Sequence, residues 1–356
     1  MDELLRIKNL KTYFFTHEGT VQAVNGVSLA IGKGETLGLV GESGCGKSVT
    51  ALSILRLIPD PPGKIVDGEI IFEGKNLLEL GEKEIRDIRG KKISMIFQEP
   101  MTSLDPVFTI GHEIMETVQL HQGLSREESR QEAVRMLKTV GMPDAAKRIK
   151  NYPHELSGGM RQRAMIAMAL SCNPSLLIAD EPTTALDVTI QAQILQLINE
   201  LKGKFGTAVM LITHDLGVVS QMCDNVAVMY AGYIVEYTDV DTLFEEPLHP
   251  YTQGLKKSIP RLDIDSGRLE MIEGLVPNLL DVPRGCPFHP RCKFCFDLCL
   301  KELPELKAVR QHSTVQTQKP AGPQRPLDTQ KPVHRQQPAQ GKKPVRETHL
   351  VRCHLY

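Results

Sequence analysis

The chain has 356 residues, enough for one large core and an appendage. Its 42 Lys and Arg nearly balance its 43 Asp and Glu, which argues against nucleic acid as a partner. No apolar run approaches the roughly 20 residues that cross a bilayer, and the N-terminus lacks a signal-peptide pattern, so we expect a chain that is cytosolic or held at a membrane by partners.

The first 95 residues are predicted to be rich in strands. Apolar and polar residues alternate with a period of two in several short segments, as in strands with one buried face. The strands predicted from this alternation, or from short apolar runs, cover residues 21–31, 36–40, 69–72 and 92–97.

A glycine-rich loop, Gly-Glu-Ser-Gly-Cys-Gly-Lys-Ser at residues 41–48, directly follows the apolar strand at 36–40. It has the form G-x-x-x-x-G-K-S. The glycines let backbone N–H groups wrap phosphates, and the N-terminus of the next helix adds its dipole. We therefore predict an ATP or GTP site, with Lys47 on the β- and γ-phosphate oxygens and Ser48 on Mg²⁺.

The pattern becomes helical from about residue 102 to residue 173. Apolar residues recur there every three or four positions. Ser125 and Glu128 form a capping-box pattern at the start of the second helix, and Gly141 stands at its end. The predicted helices cover residues 110–119, 126–140 and 159–171.

Strands resume after this helical segment. Residues 176–179 and 209–213 are short continuous apolar runs, typical of strands buried in a parallel sheet. Residues 226–229 and 233–236 flank Ala-Gly and predict a hairpin. The expected fold is an α/β core, residues 1–240, interrupted by a helical insertion.

The composition changes beyond about residue 240. We expect a C-terminal extension over residues 241–356 that contains a group of cysteines. Its segment 311–347 is rich in Pro, Gln and Lys and is predicted to be a flexible linker.

Two carboxylates, Asp180 and Glu181, follow the apolar strand that begins at residue 176. Beside a phosphate loop, Asp180 would hold Mg²⁺, directly or through water. Glu181 would accept a proton from the attacking water.

Three further elements could act on a nucleotide. Ser157-Gly158-Gly159 opens a helix and could present N–H groups to an anion, Gln98 ends a strand, and His214 follows one. Each has an ordinary structural alternative: a capping turn, a solvated loop residue or a core histidine. Their order along the chain, together with the two phosphate motifs, favours the functional interpretation.

In this order the motifs closely resemble those of the ATP-binding subunits of ABC transporters, over residues 1–240. The resemblance implies a P-loop ATPase with the Walker A loop at 41–48, the Walker B strand at 176–180 and the D-loop at 185–187. It also implies two such domains arranged head to tail, with each ATP between the Walker motifs of one and the Ser157 segment of the other. The implied catalytic residues are Glu181, His214, Gln98 and Lys47, and the implied Mg²⁺ ligands are Ser48, Gln98 and Asp180. The implied nucleotide contacts are Gly41, Ser43, Gly44, Cys45, Gly46, Lys47, Ser48, Val49, Ser157, Gly158 and Gly159.

The family also places an aromatic side chain against adenine. Tyr13 and Phe14 are both candidates, and strand alternation lets only one of them face the base.

A narrower resemblance, to the dipeptide, oligopeptide and nickel import branch, is carried by Tyr-Pro-His-Glu-Leu at 152–156 and His-Pro-Tyr-Thr at 249–252. Cys-Pro-Phe-His-Pro-Arg-Cys at 286–292 and the final Cys-His-Leu at 353–355 complete it. Members that resemble this chain carry a [4Fe–4S] cluster in that segment.

The cluster ligands are open between two sets. Four thiolates in a reducing compartment suit iron–sulfur or zinc, but only Cys292 and Cys295 have knuckle spacing. The family pattern favours Cys286, Cys292, Cys299 and Cys353, and the shorter chain closure favours Cys295 as the fourth ligand. The third possibility is that these cysteines bind no metal and are packed in a small hydrophobic cluster.

The resemblance implies an ATPase that powers uptake of dipeptides or oligopeptides from the cytoplasmic face of the membrane. Its expected partners are a paralogous ATPase subunit, two permease subunits and an extracellular or periplasmic substrate-binding protein. A nickel importer, an ABC-type ATPase without transport and a nucleotide sensor are the alternatives. The spacing of about 110 residues between Ser48 and Ser157 and the single nucleotide domain argue against DNA-acting and translation-linked relatives.

Overall fold

The computed structural model describes residues 2–98, 103–184, 186–258, 271–309 and 349–356. Within them, the strands form a four-stranded antiparallel sheet, in the order β2-β1-β4-β5, and an eight-stranded sheet, in the order β11-β12-β10-β9-β3-β8-β7-β6. The strands are β1 Glu3–Thr16, β2 Gly19–Gly32, β3 Thr36–Val40, β4 Gly63–Phe72, β5 Lys75–Asn76, β6 Ile93–Ile96, β7 Leu176–Asp180, β8 Ala208–Thr213, β9 Asn225–Tyr230, β10 Tyr233–Asp239, β11 Lys307–Val309 and β12 His349–Val351.

The helices fall into three groups along the chain: one short pair early, a set between β6 and β7, and a set that packs beside the later strands. The α-helices of the described residues are Lys47–Ile54, Glu82–Ile88, Ile110–Gln122, Arg126–Thr139, Ala145–Arg148, Gly158–Leu170, Val188–Phe205, Leu216–Met222, Val240–Glu245, Pro250–Lys257 and Asp297–Lys301, with 3₁₀ turns at Pro153–Glu155 and His289–Arg291. None of these helices combines the length and the apolar character that a membrane crossing needs.

The larger sheet is parallel at its centre, where β9, β3, β8, β7 and β6 run in one direction. Successive residues of its strands point to opposite faces of the sheet and pack in different hydrophobic cores. In β8, Val209 and Leu211 pack with the helical insertion, whereas Met210 and Ile212 pack toward the antiparallel sheet. Coverage of both faces explains why these strands are continuous apolar runs.

The predicted helical insertion is present between β6 and β7. The helix Arg126–Thr139 begins as predicted: the Glu128 amide donates to Ser125 Oγ at 3.4 Å, and the Ser125 amide donates to Glu128 Oε2 at 2.8 Å. These hydrogen bonds satisfy backbone N–H groups at the start of the helix that have no carbonyl partner within it. The predicted hairpin is also confirmed, with Tyr233 paired to Tyr230 across the turn.

The C-terminal residues rejoin the larger sheet. Strand β12 pairs with β10 on one side and β11 on the other, so the end of the chain lies against the larger sheet of the core. Its His349 is buried and its Nε2 lies 2.6 Å from Glu236 Oε1 in β10. The predicted linker, residues 311–347, lies outside the described residues.

Candidate functional site

The phosphate loop connects β3 to the helix Lys47–Ile54. Gly46 is the N-cap, with φ at 104°, and a Cβ there would lie 2.1 Å from the Ala23 carbonyl oxygen. Gly41 is equally confined, because its Cβ would lie 2.2 Å from the Met229 carbonyl oxygen. Only glycine fits both positions, so the neighbouring strands dictate the shape of the loop.

Lys47 is nearly buried beneath this loop, with 6% of its surface exposed. Its Nζ donates to the carbonyl oxygens of Gly41 at 2.9 Å and Glu42 at 3.0 Å. The ammonium is therefore fixed against the inner wall of the loop, where phosphate oxygens would be bound.

Asp180 ends β7 and faces the start of the phosphate-loop helix. Burial raises the pKa of its carboxyl, and the Ser48 hydroxyl beside it opposes that rise by hydrogen bonding. Asp180 is 4% exposed, and its Oδ1 has no hydrogen-bond partner within the described part of the chain. A buried carboxylate oxygen without a partner next to a serine hydroxyl suits an oxygen-ligated Mg²⁺.

Glu181 lies at the meeting point of three predicted motifs. Its Oε2 accepts from Gln98 Nε2 at 3.0 Å, and its Oε1 lies 3.1 Å from His214 Nδ1. These side chains converge because β6, β7 and β8 are neighbours whose carboxyl ends share one sheet edge. Burial acts to raise the pKa of Glu181, but hydrogen bonds from His214 and Thr184 outweigh it, and the net shift is downward.

Thr184 is a contact that the sequence reasoning missed. Its Oγ1 donates to Glu181 Oε2 at 2.9 Å, so it helps to orient the carboxylate. The available signal was its position three residues after Glu181, in Asp-Glu-Pro-Thr-Thr. Glu181 itself has φ at 43°, a strained backbone conformation of the kind that clusters at functional sites.

The Ser157-Gly158-Gly159 segment begins the helix Gly158–Leu170. Ser157 is its N-cap and accepts a hydrogen bond from the Met160 amide at 3.4 Å. Ser157 and Gly158 are exposed, so this helix start is open to a ligand from outside the chain. In the D-loop, Asp187 caps the following helix, whereas Ala185 is outside the described residues.

Tyr13 and Phe14 point to opposite faces of β1. The Tyr13 hydroxyl donates to Asn25 Oδ1 at 3.0 Å. Phe14 shares its face with Thr12, whose hydroxyl lies 2.8 Å from that of Ser53 in the phosphate-loop helix. Phe14 therefore lies on the face of β1 that contacts the phosphate-loop helix, which favours Phe14 over Tyr13 as the residue that stacks on adenine. The choice between the two stays a prediction.

Four cysteines of the C-terminal extension line one small cavity: Cys286, Cys292, Cys299 and Cys353. Cys295, the alternative ligand, does not line the cavity and is exposed. The cavity exists because β12 returns Cys353 to the turn at 286–292.

The expected metal centre is not present as a compact ligand group. Across the described ranges, no three His, Cys, Asp or Glu side chains are close enough together to hold one metal ion. All the cysteines are free thiols, and none forms a disulfide. The cavity is thus lined by thiols that lack the tight geometry of a single-ion site.

In comparison with known proteins, both the α/β core and the C-terminal extension match known family models. A family model described as "ABC transporter" matches residues 24–184, and one described as "Oligopeptide/dipeptide transporter, C-terminal region" matches residues 235–299. A probable peptide ABC transporter ATP-binding protein of Sinorhizobium fredii is 56% identical over 310 residues, which cover 87% of this chain and 92% of the relative. The oligopeptide transport ATP-binding protein AppD of Bacillus subtilis is 54% identical over 316 residues, which cover 89% of this chain and 96% of AppD.

Solved structures agree on the fold. The dimeric ATP-binding cassette MJ0796, in a post-hydrolysis state with ADP and Pi, is 29% identical and superposes with a TM-score of 0.60. The match covers 67% of this chain and 99% of that one.

Proposed function

Because the chain belongs to the oligopeptide/dipeptide branch of the ABC transporter ATP-binding proteins, we propose that the cluster around Glu181 is the catalytic centre of a peptide-import ATPase. The protein hydrolyses ATP, with Mg²⁺, and works with membrane permease and substrate-binding subunits. Its relatives are named for peptides, oligopeptides and dipeptides, which favours peptide over nickel as cargo. We further propose that it acts at the cytoplasmic face of the membrane.

The single observation that carries the catalytic proposal is the convergence of Gln98, Thr184 and His214 on the Glu181 carboxylate. Glu181 accepts the proton of the attacking water, and His214 orients that water near the γ-phosphate. Lys47 and the loop amides bind the phosphate oxygens. Ser48 and Asp180, together with Gln98, would hold Mg²⁺, which when bound would offset the phosphate charge.

We propose that the working unit is a head-to-tail pair with a paralogous ATPase subunit. The exposed Ser157 and Gly158 would cap ATP bound to the partner, and the partner's equivalent segment would cap ATP bound here. The dimeric relative supports a paired arrangement. The preference for a paralogue over an identical copy rests on the branch resemblance.

A groove in the helical insertion is the proposed contact for the permease. Residues lining it include His112, Met115, Arg126 and Arg130. It adjoins Phe108, which is 43% exposed and stacks on His112 with ring centroids 4.6 Å apart. The groove combines apolar Met115 and Ile149 with three basic residues and the acidic Glu116. A groove of this mixed character, later in the chain than Gln98, suits an amphipathic helix from a membrane subunit, to which closure at Gln98 would then be transmitted.

The transport assignment is tested by joint purification. Expressed with its permease genes, the full chain should be retained with the membrane subunits in detergent, and peptide with its binding protein should stimulate ATP hydrolysis. Replacing Arg126 and Arg130 by Glu should reduce retention several-fold, since both charges line the groove. Lys204→Glu, at an exposed site outside the groove, should leave retention unchanged. A chain that never associates with permease would favour a non-transport ATPase.

We also propose that Cys286, Cys292, Cys299 and Cys353 bind a [4Fe–4S] cluster. A cubane spreads its four thiolates over a larger tetrahedron than one metal ion does, which suits four thiols that share a cavity without converging on a point. When bound, the cluster would cross-link the end of the chain to the 286–299 segment. Its proposed role is structural or regulatory, since none of these cysteines belongs to the phosphate motifs.

Replacement of single cysteines distinguishes the ligand sets. Protein purified anaerobically should be brown, with visible charge-transfer absorbance. Cys353→Ser should lose most of the iron, because one cavity thiol is removed, whereas Cys295→Ser should retain it. Iron analysis and absorbance are the measurements. Colourless protein with stoichiometric zinc, or loss of iron only from Cys295→Ser, would contradict the assignment.

A further inference from the structure

The arginine that precedes Cys292 reaches from the C-terminal extension to the phosphate loop. Arg291 forms a two-point ion pair with Glu42, the second residue of the loop: Nη1 lies 2.7 Å from Oε2 and Nη2 lies 3.1 Å from Oε1. The Arg291 side chain is only 4% exposed. This planar, bidentate contact is the strong form of an arginine–carboxylate pair.

Every N–H donor of the guanidinium group is directed at an acceptor. Besides Glu42, Nε donates to the Glu273 carbonyl at 3.1 Å, Nη2 to the Ile272 carbonyl at 3.3 Å and Nη1 to the Tyr230 hydroxyl at 3.4 Å. The cation also lies over the rings of Tyr230 and Phe288. A buried cation satisfied on all sides has one defined position, so it can fix the group that it binds.

Glu42 is held by its other groups as well. Its backbone N–H donates to the Tyr251 hydroxyl at 2.9 Å, and its carbonyl oxygen accepts from Lys47 at 3.0 Å. Tyr251 is fully buried in the helix Pro250–Lys257 of the extension. The first turn of the phosphate loop is therefore clamped between the catalytic lysine and two residues of the C-terminal extension.

The Glu42 carboxylate is also a negative charge within the loop that would bind a triphosphate. Without Arg291, that charge would face the phosphates unneutralised, and the loop would lose one of its anchors. Both effects weaken nucleotide binding: the first by repulsion, the second by the entropy of ordering the loop when ATP arrives.

We infer that Arg291 is a positioning residue for ATP, through which the C-terminal extension holds the phosphate loop ready for the nucleotide. The inference rests on the proposed use of this loop by ATP. It predicts that the extension governs nucleotide affinity and leaves the chemical step, which depends on Glu181 and His214, largely unaffected.

The test measures binding of a fluorescent ATP analogue with Mg²⁺, and separately kcat and KM, on the full-length chain. Arg291→Gln should raise Kd and KM roughly tenfold with kcat changed less than about twofold. The Kd and KM of Arg291→Lys should lie between those of the wild type and Arg291→Gln. The lysine ammonium keeps the positive charge but cannot make the two-point contact of a guanidinium. The Arg291→Gln, Glu42→Gln double variant should be no weaker than Arg291→Gln alone, because the two residues act as a pair.

Arg352 provides the matched control. It precedes Cys353, as Arg291 precedes Cys292, and it donates to the carbonyls of Ile234 at 3.0 Å and Pro304 at 2.9 Å. Neither of these contacts involves the phosphate loop, so Arg352→Gln should keep ATP affinity within about twofold.

The inference is overturned if Arg291→Gln binds ATP as tightly as the wild type does, or if Arg352→Gln loses as much ATP affinity as Arg291→Gln. It is also overturned if the fold-loss of affinity in the double variant equals the product of the fold-losses in the two single variants. Should Arg291→Gln not fold, Arg291→Lys tests the same pair with the charge kept, with an expected affinity loss of several-fold. Lys47→Ala separates the two ideas: retained ATP binding there would refute the nucleotide site itself, whereas lost binding with an unaffected Arg291→Gln refutes only this inference.

Discussion

Replacing Glu181 by Gln is expected to reduce ATP hydrolysis by roughly 10²- to 10⁴-fold while ATP still binds. The amide has the same shape and still has an oxygen that can accept from Gln98 or His214, so the site should stay assembled. It cannot take a proton from water. Phosphate release, and the nucleotide retained by the paired ATPase subunits on a sizing column, measure the two effects.

The control for this experiment is Thr184→Val, which removes a hydrogen bond to Glu181 but keeps the carboxylate. Its turnover should fall much less, on the order of tenfold or below, because only the orientation of the base is changed. Hydrolysis at the wild-type rate in Glu181→Gln would remove Glu181 from the role of base.

Replacing His349 by Leu is expected to destabilise the protein by about 3 kcal/mol or more. Glu236 is completely buried and accepts from His349 as well as from the amides of Leu248 at 2.8 Å and His249 at 2.9 Å. Removing the imidazole leaves a buried carboxylate short of a partner, which is far costlier than losing a surface ion pair.

The measurement is the shift in the urea midpoint, followed by far-UV circular dichroism because the chain has no tryptophan. His349→Gln should recover part of the stability, since its amide can still donate to Glu236. Lys307→Ala, at an exposed position of the neighbouring strand β11, should change stability by less than about 0.5 kcal/mol. Equal midpoints for His349→Leu and Lys307→Ala would refute the importance of the buried pair.

The sequence predicted best those elements whose signals are local. Strand β3 has the predicted bounds, and the capping box at Ser125 is present, because each depends on residues within one turn or one strand. The order of the phosphate motifs and the family resemblance placed Gln98, Glu181 and His214 in one predicted site. The structure brings them together because the neighbouring parallel strands end at a common edge.

Contacts between distant segments were not predictable in this way. Nothing in the residues around Arg291 or Glu42 indicates that they meet, because the contact depends on how the extension folds back across the core. The pairing of β12 with β10 likewise decides that Cys353 lines the cavity. Local spacing alone favoured Cys295, because its chain closure is shorter, and only the family pattern favoured Cys353.

The pairing of β11 with β12 has a consequence for how the protein can vary. Val309 and His349 are direct cross-strand partners, so the described residues on either side of 310–348 lie next to each other in the sheet. Closing such a connection costs little more when it is long than when it is moderate, since the entropy grows only with the logarithm of its length. Evolution, or an engineer inserting a reporter domain, can therefore lengthen or shorten residues 310–348 without shifting the register of either strand.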